Sequence, residues 1–76
     1  MPSYNGHKNY NHWNVSLWLN NDEGLYRQAK QCIKATRTRD AAARMMLEFL
    51  NAYGVTHTED NVRYTVTTIQ AAMREM

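Results

Sequence analysis

Apolar side chains recur along this chain at helical spacing, in four separate stretches. The cleanest stretch is Ala42, Met45, Met46, Phe49, Leu50 and Tyr53, which follows the i, i+3, i+4 rule of one helix face and leaves Arg44, Glu48 and Asn51 opposite. Thr38 precedes it as an N-cap, and Gly54 follows as a left-handed C′ residue, so a helix is predicted to end at Tyr53. Upstream, Leu25, Ala29, Cys32 and Ile33 line one side of a helix that starts at Asn21 or Asp22 and runs to about Ala35. Asp22 and Glu23 put negative charge in its first turn, where the helix dipole favours it. A first helix is predicted from Tyr10 to Asn20 behind an Asn9 cap. Its Tyr10, Trp13, Val15, Leu17, Trp18 and Leu19 cover about two-thirds of the circumference, which puts this helix at the centre of the packing.

A last helix runs from Val66 to about Arg74 behind a Thr65 cap, with Val66, Ile69 and Met73 on its buried side. Val55–Tyr64 is a threonine-rich connection with a turn signal at Glu59–Asp60–Asn61, and Val62–Arg63–Tyr64 is a short candidate for extended chain. Residues 1–8, MPSYNGHK, read as an irregular lead-in. The pattern therefore predicts one all-α domain over 1–76, a compact bundle of about four short helices.

Size limits what such a bundle can do. With 76 residues the chain buries only about 60% of its unfolded surface, which leaves no room for a deep enclosed active site. The single cysteine, Cys32, has no partner for an internal disulfide, which fits a reducing cytoplasm. The N-terminal stretch lacks the apolar centre of a signal peptide, and no apolar run exceeds three residues, so no membrane partner or spanning helix is expected.

Charge is unevenly placed. From Arg27 to Arg44 six basic residues face one acid, giving +5; elsewhere three basic residues face six acids, giving −3. Arg27, Lys30, Lys34 and Arg37 are spaced i, i+3, i+7 and i+10, within about 80° of one another on a continuous helix. Extended by Arg39 and flanked by Tyr26, this stripe is the candidate partner-binding surface. The plainer alternative is the solvated face of an amphipathic helix.

Asn14 falls in the middle of the first helix's apolar arc, where a buried amide must find partners. The expected role is structural: a tie to the Asn20–Asp22 turn or to the His57–Asn61 loop, with ligand binding the lesser alternative. Of the large aromatics, Trp13, Trp18 and Tyr53 are expected in the core, and Tyr4, Tyr26 and Tyr64 at the surface. His7, His12, His57 and Cys32 lack metal-ligand spacing, so neither metal nor cofactor is expected. Ser3 and Ser16 lack a nucleophile elbow, and there is no glycine-rich phosphate loop. The chain reads as a binder rather than an enzyme.

The segment Asn9 to Tyr26, NYNHWNVSLWLNNDEGLY, holds both tryptophans. It resembles the NYxTWNVxLWxxNDEGLY-like opening of a family of very small uncharacterised proteins from bacteriophages and other mobile elements. Thr58–Asp60 and the closing Ala72–Met76 fall where such proteins carry a TPDG-like turn and an MIREL-like ending. The resemblance implies a mobile-element origin and no settled activity. Together with the small size, the lack of a catalytic constellation and the aromatic-flanked charged ridge, it leads to the expectation of an inhibitor of a host defence system, of anti-CRISPR or antirestriction type, acting in the host cytoplasm on a host protein or nucleoprotein complex. The alternative is a small nucleic-acid-binding accessory or regulatory protein that sets the basic stripe against phosphate. The short Thr36–Thr38 link is close to that of a helix-turn-helix.

Overall fold

Side-chain caps start each of the four helices. In the computed structural model, which describes residues 9–74 and 76, the Asn9 side chain accepts from the His12 N–H at 3.0 Å and opens α1, Tyr10–Asn21. The Asp22 carboxylate accepts from the Leu25 N–H at 3.0 Å and opens α2, Glu23–Ala35. Asp22 also ends α1, because its own N–H donates to the Trp18 carbonyl at 3.0 Å. One residue thus closes one helix and opens the next, so the two are joined with no loop between them. Thr38 caps α3, Arg39–Ala52, by accepting from the Ala41 N–H at 3.1 Å. The lead-in expected over 1–8, with Tyr4 and His7, lies outside the described residues.

The end of α3 is a Schellman motif. Val55 N–H donates to the Leu50 carbonyl at 2.9 Å and Gly54 N–H to the Asn51 carbonyl at 3.0 Å, which requires a left-handed residue between them. Gly54 supplies it with φ of 74°. The chain then folds back on itself over residues 56–64. Tyr64 N–H donates to the Thr56 carbonyl, Thr58 N–H to the Val62 carbonyl, and His57 and Arg63 form an isolated antiparallel bridge. Asn61 takes φ of 66° at the turn between them, a conformation its short amide tolerates. The extended segment expected at Val62–Tyr64 is thus one arm of this turn and not a strand of a sheet. A capping box follows: Thr65 Oγ1 accepts from Thr68 N–H at 3.1 Å, and Thr68 Oγ1 accepts from Thr65 N–H at 3.0 Å. It opens α4, Val66–Met73.

These elements form an all-α bundle. α1 packs against α4 and α2, and α3 packs against α2 and α4. The core is built from Val15 and Leu19 of α1, Ala29 and Cys32 of α2, Met46 and Leu50 of α3, and Ile69 and Met73 of α4. Small residues (Ala29, Ala42, Ala43 and Ala72) let the helices approach closely, and Met46 and Met73 fill the remaining space. α1 is not more central than the other helices, contrary to what its broad apolar arc implied: it buries Val15 and Leu19 fully, but Trp13, Leu17 and Trp18 are only half-buried and Tyr10 is exposed.

Two aromatic expectations are reversed. Tyr53 is 74% exposed, because it is the C-cap residue where the chain leaves the helical path, and it rests on Phe49 with ring centroids 4.9 Å apart. Tyr64 is only 4% exposed, because the folded-back loop carries it under the bundle instead of out into solvent. Met45, assigned to the inner face of α3, is 39% exposed, and Ala43 is buried in its stead. The interface of α3 is turned by about one position from the stripe its sequence suggests.

Candidate functional site

The six residues proposed to bind a partner lie along α2 and its junction with α3, where the structure gives them unequal tasks. α2 commits Ala29 and Cys32 to the core, so Tyr26, Arg27 and Lys34 face outward and Lys30 lies at the margin of the packed surface. Arg27 is paired with Glu23 one turn earlier in an exposed ion pair. Lys30 Nζ donates to the Met76 carbonyl at 3.4 Å and stands 5.8 Å from the Tyr26 ring centroid, within cation–π range. Arg39 Nε donates to the Met73 carbonyl at 3.2 Å.

Met73 is the last residue of α4, so Arg39 places a cation against carbonyls that have no partner inside that helix. Part of the basic concentration therefore serves the fold. Neighbouring helices bring positive charge to the carboxyl end of α4. Arg44 is paired with Asp40 at 3.0 Å.

Lys34 and Arg37 remain. Both are exposed, and among the described residues neither takes part in an ion pair. Arg37 is not on the helix ridge that its i+10 spacing implied. α2 stops at Ala35, and Thr36 and Thr38 are both extended, so Arg37 projects from the connection between them. Thr36 ends the helix by donating its hydroxyl to the Cys32 carbonyl at 2.7 Å, a bond that competes with continued helix. The stripe is thus a helix ridge of Arg27, Lys30 and Lys34 that continues onto a loop cation and a helix-starting arginine.

A second constellation joins α1 to the 56–64 loop. Asn14 is fully buried, and its amide is used at both ends: Nδ2 donates to Asp60 Oδ2 at 2.8 Å, and Oδ1 accepts from the Thr58 hydroxyl at 2.7 Å. Of the two ties weighed for Asn14, the loop is the one formed. Thr58 Oγ1 accepts in turn from the Val62 N–H at 3.1 Å, and Trp18 Nε1 donates to the same Asp60 oxygen at 3.0 Å. The Asn14 and Trp18 donors hold the Asp60 carboxyl below its ordinary range. The turn signal at Glu59–Asp60–Asn61 marked this loop, but no sequence feature pointed to Asp60 as the acceptor shared by two α1 side chains.

Beside this network is an open cleft of about 460 Å³, with Trp18, Leu25, Phe49 and Tyr64 among its walls and Asp22 and Glu59 at its margin. Burial pushes the Tyr64 phenol above its ordinary value, and the charges of Asp22 and Glu59 push it in the same direction. Burial likewise raises the Cys32 thiol, partly offset by a contact from Gln28, so this thiol is kept in its inert protonated form. Among the described residues no three His, Cys, Asp or Glu side chains converge closely enough to hold a metal ion. Among the same residues no helix is long and apolar enough to cross a membrane.

The chain belongs to a family of unknown function, DUF7249, which matches it over residues 1–76. No curated protein and no solved structure matches it.

Proposed function

We propose that the protein is a non-enzymatic binding module that occupies the surface of a larger partner through the edge formed by Tyr26, Arg27, Lys30, Lys34, Arg37 and Arg39. In keeping with the resemblance of its N-terminal segment to small phage proteins, the partner is a component of a host defence system, and binding inhibits it. The observation that carries this reading is the pair Lys34 and Arg37, two exposed cations without an ion pair among the described residues, on an edge whose other end carries the exposed Tyr26 beside Lys30. Uncompensated charge at a helix end and the connection after it steers association with an acidic surface, and a tyrosine on the same edge supplies contact area at low entropic cost.

The test uses Lys34→Glu with Arg37→Glu, because both side chains are exposed and outside the ion pairs among the described residues, whereas Arg39 and Lys30 donate to the Met73 and Met76 carbonyls. The double variant should keep the helical circular-dichroism spectrum and lose both capture of the partner from host lysate and protection of an invading plasmid in cells. Retention of both activities overturns the reading. A nuclease-treated arm separates protein from nucleic acid. The second reading, direct phosphate binding, draws on the three-residue link between α2 and α3. It requires capture to vanish with nuclease and log affinity to fall with log salt, by about 0.9 per phosphate contacted in duplex DNA. The outward side of α3 favours it less, since Arg44 is already paired and Glu48 beside it repels phosphate.

A further inference from the structure

We propose that the cleft between the start of α2, the end of α3 and the 56–64 loop is a second docking site, which takes an arginine side chain presented on a segment of a partner protein. The cleft lies at the opposite end of α2 from Lys34 and Arg37, and α2 is about 20 Å long, so it is distant from those two cations although Tyr26 adjoins it in sequence. The proposal does not depend on the basic edge.

Three observations select the occupant. First, the walls are aromatic and apolar: Trp18, Phe49 and Tyr64 come from three different elements, with Leu25 and Val55 completing them. Second, the charge is one-sided. Asp22 and Glu59 line the cleft, His57 is the one basic side chain among the described residues that do so, and no Lys or Arg is among them. Among the described residues neither carboxylate is in an ion pair, and both act on the Tyr64 phenol, which locates their field within the cleft. Third, the volume of about 460 Å³ exceeds that of a small inorganic cation and accommodates a long side chain with its flanking backbone.

An aromatic cleft bordered by Glu59, and by Asp22 whose Oδ1 already accepts from the Leu25 N–H as the cap of α2, favours an organic cation. Guanidinium fits it better than ammonium, because its planar, weakly hydrated fork stacks on rings and pairs with carboxylates in the same pose. The walls are also fixed in advance. Trp18 is held by its indole N–H bond to Asp60, and Phe49 is backed by Tyr53. The exposed Tyr53 and Val55 beside them extend the contact area beyond the arginine, which suits a peptide segment more than a free small molecule.

The probe is a pentapeptide with blocked termini whose only charge is a central arginine, titrated into the full chain while the Trp18 indole N–H resonance is followed, with Trp13 as the internal reference. Saturable movement of Trp18 at millimolar or lower concentration is expected, weakened about tenfold or more when citrulline replaces the arginine. Glu59→Gln combined with Asp22→Asn should weaken it to a similar extent. Asparagine caps helices as well as aspartate does, so this variant keeps the fold, which circular dichroism checks. Equal binding of the citrulline peptide, no saturation in the millimolar range, or unchanged affinity in the double variant overturns the proposal. So does methylguanidinium binding as tightly as the peptide, which would make the ligand a free small cation, or a lysine peptide binding more tightly than the arginine one.

Discussion

Replacing Thr58 by valine isolates the link between α1 and the 56–64 loop without changing side-chain shape. The Thr58 hydroxyl is buried and does two things at once: it donates to Asn14 Oδ1 at 2.7 Å and accepts from the Val62 N–H at 3.1 Å. Valine leaves both partners in place and unsatisfied. Asn14 is fully buried and Val62 is 6% exposed, so water reaches neither easily. An orphaned buried polar group costs about 1–3 kcal/mol, and the extra methyl returns less than about 1 kcal/mol. With two groups orphaned the net loss is about 1–6 kcal/mol, a large share of the few kcal/mol that hold a domain of this size.

In urea, followed by circular dichroism at 222 nm, the midpoint should fall with the slope unchanged. The melting temperature should drop by about 4–8 °C for each kcal/mol. The control is Thr56→Val on the exposed side of the same loop, expected within about 0.5 kcal/mol of the parent. Asn14→Leu, alone and combined with Thr58→Val, completes a double-mutant cycle with a coupling of about 0.5–3 kcal/mol. If Thr58→Val melts like the Thr56→Val control, or the cycle shows no coupling, the two side chains do not share a buried bond and the argument fails.

Two further predictions follow from local geometry. Because the Asn14 and Trp18 donors lower the Asp60 carboxyl in the folded state, the unfolded chain takes up that proton first as pH falls. The stabilisation is therefore complete above the ordinary aspartate value and is lost as pH drops through the lower folded one. Asp60→Asn should flatten the acid limb of stability at and below the ordinary aspartate value, and an unchanged limb would remove Asp60 from the network's energetics. Gly54→Ala meets no atom within 4 Å but forces alanine to φ of 74°, so it should cost about 1–2 kcal/mol in chemical denaturation, with Gly54→Asn costing less. Equal stability of Gly54→Ala would mean that the end of α3 rearranges.

The features legible in the sequence were those fixed by neighbours in the chain. Asn9, Asp22, Thr38 and Thr65 cap helices because each capping bond is made within three residues, and Gly54 ends α3 for an equally local reason. Residues whose role depends on a distant partner were less legible. Tyr53 and Tyr64 have similar sequence surroundings, yet the folded-back loop buries one and the helix end exposes the other. Asp60 looked like an ordinary turn residue, and its two donors lie 46 and 42 positions away. Arg39 looked like part of a binding ridge, but the Met73 carbonyl that it caps is 34 positions downstream. The spacing rule that put Arg37 on the ridge assumed a helix longer than the one that Thr36 allows.

The junction at Asp22 and the remote pairing of α1 with α4 together bear on how fast this chain folds. α1 and α2 meet through one shared capping residue, and α2 and α3 through three, so their contacts form with little search. The most extensive partner of α1 is instead α4, the helix farthest from it along the chain, and the Thr58–Asn14 bond beside that contact closes a span of 44 residues. Closing such a span costs about 3 kcal/mol of chain entropy before any contact offsets it. Helical bundles owe their speed to local contacts, and here the last and largest contact is not local. The rate of folding is accordingly set by the return of α4 to α1, and the α2–α3 hairpin can form and dissolve many times while the chain waits for it.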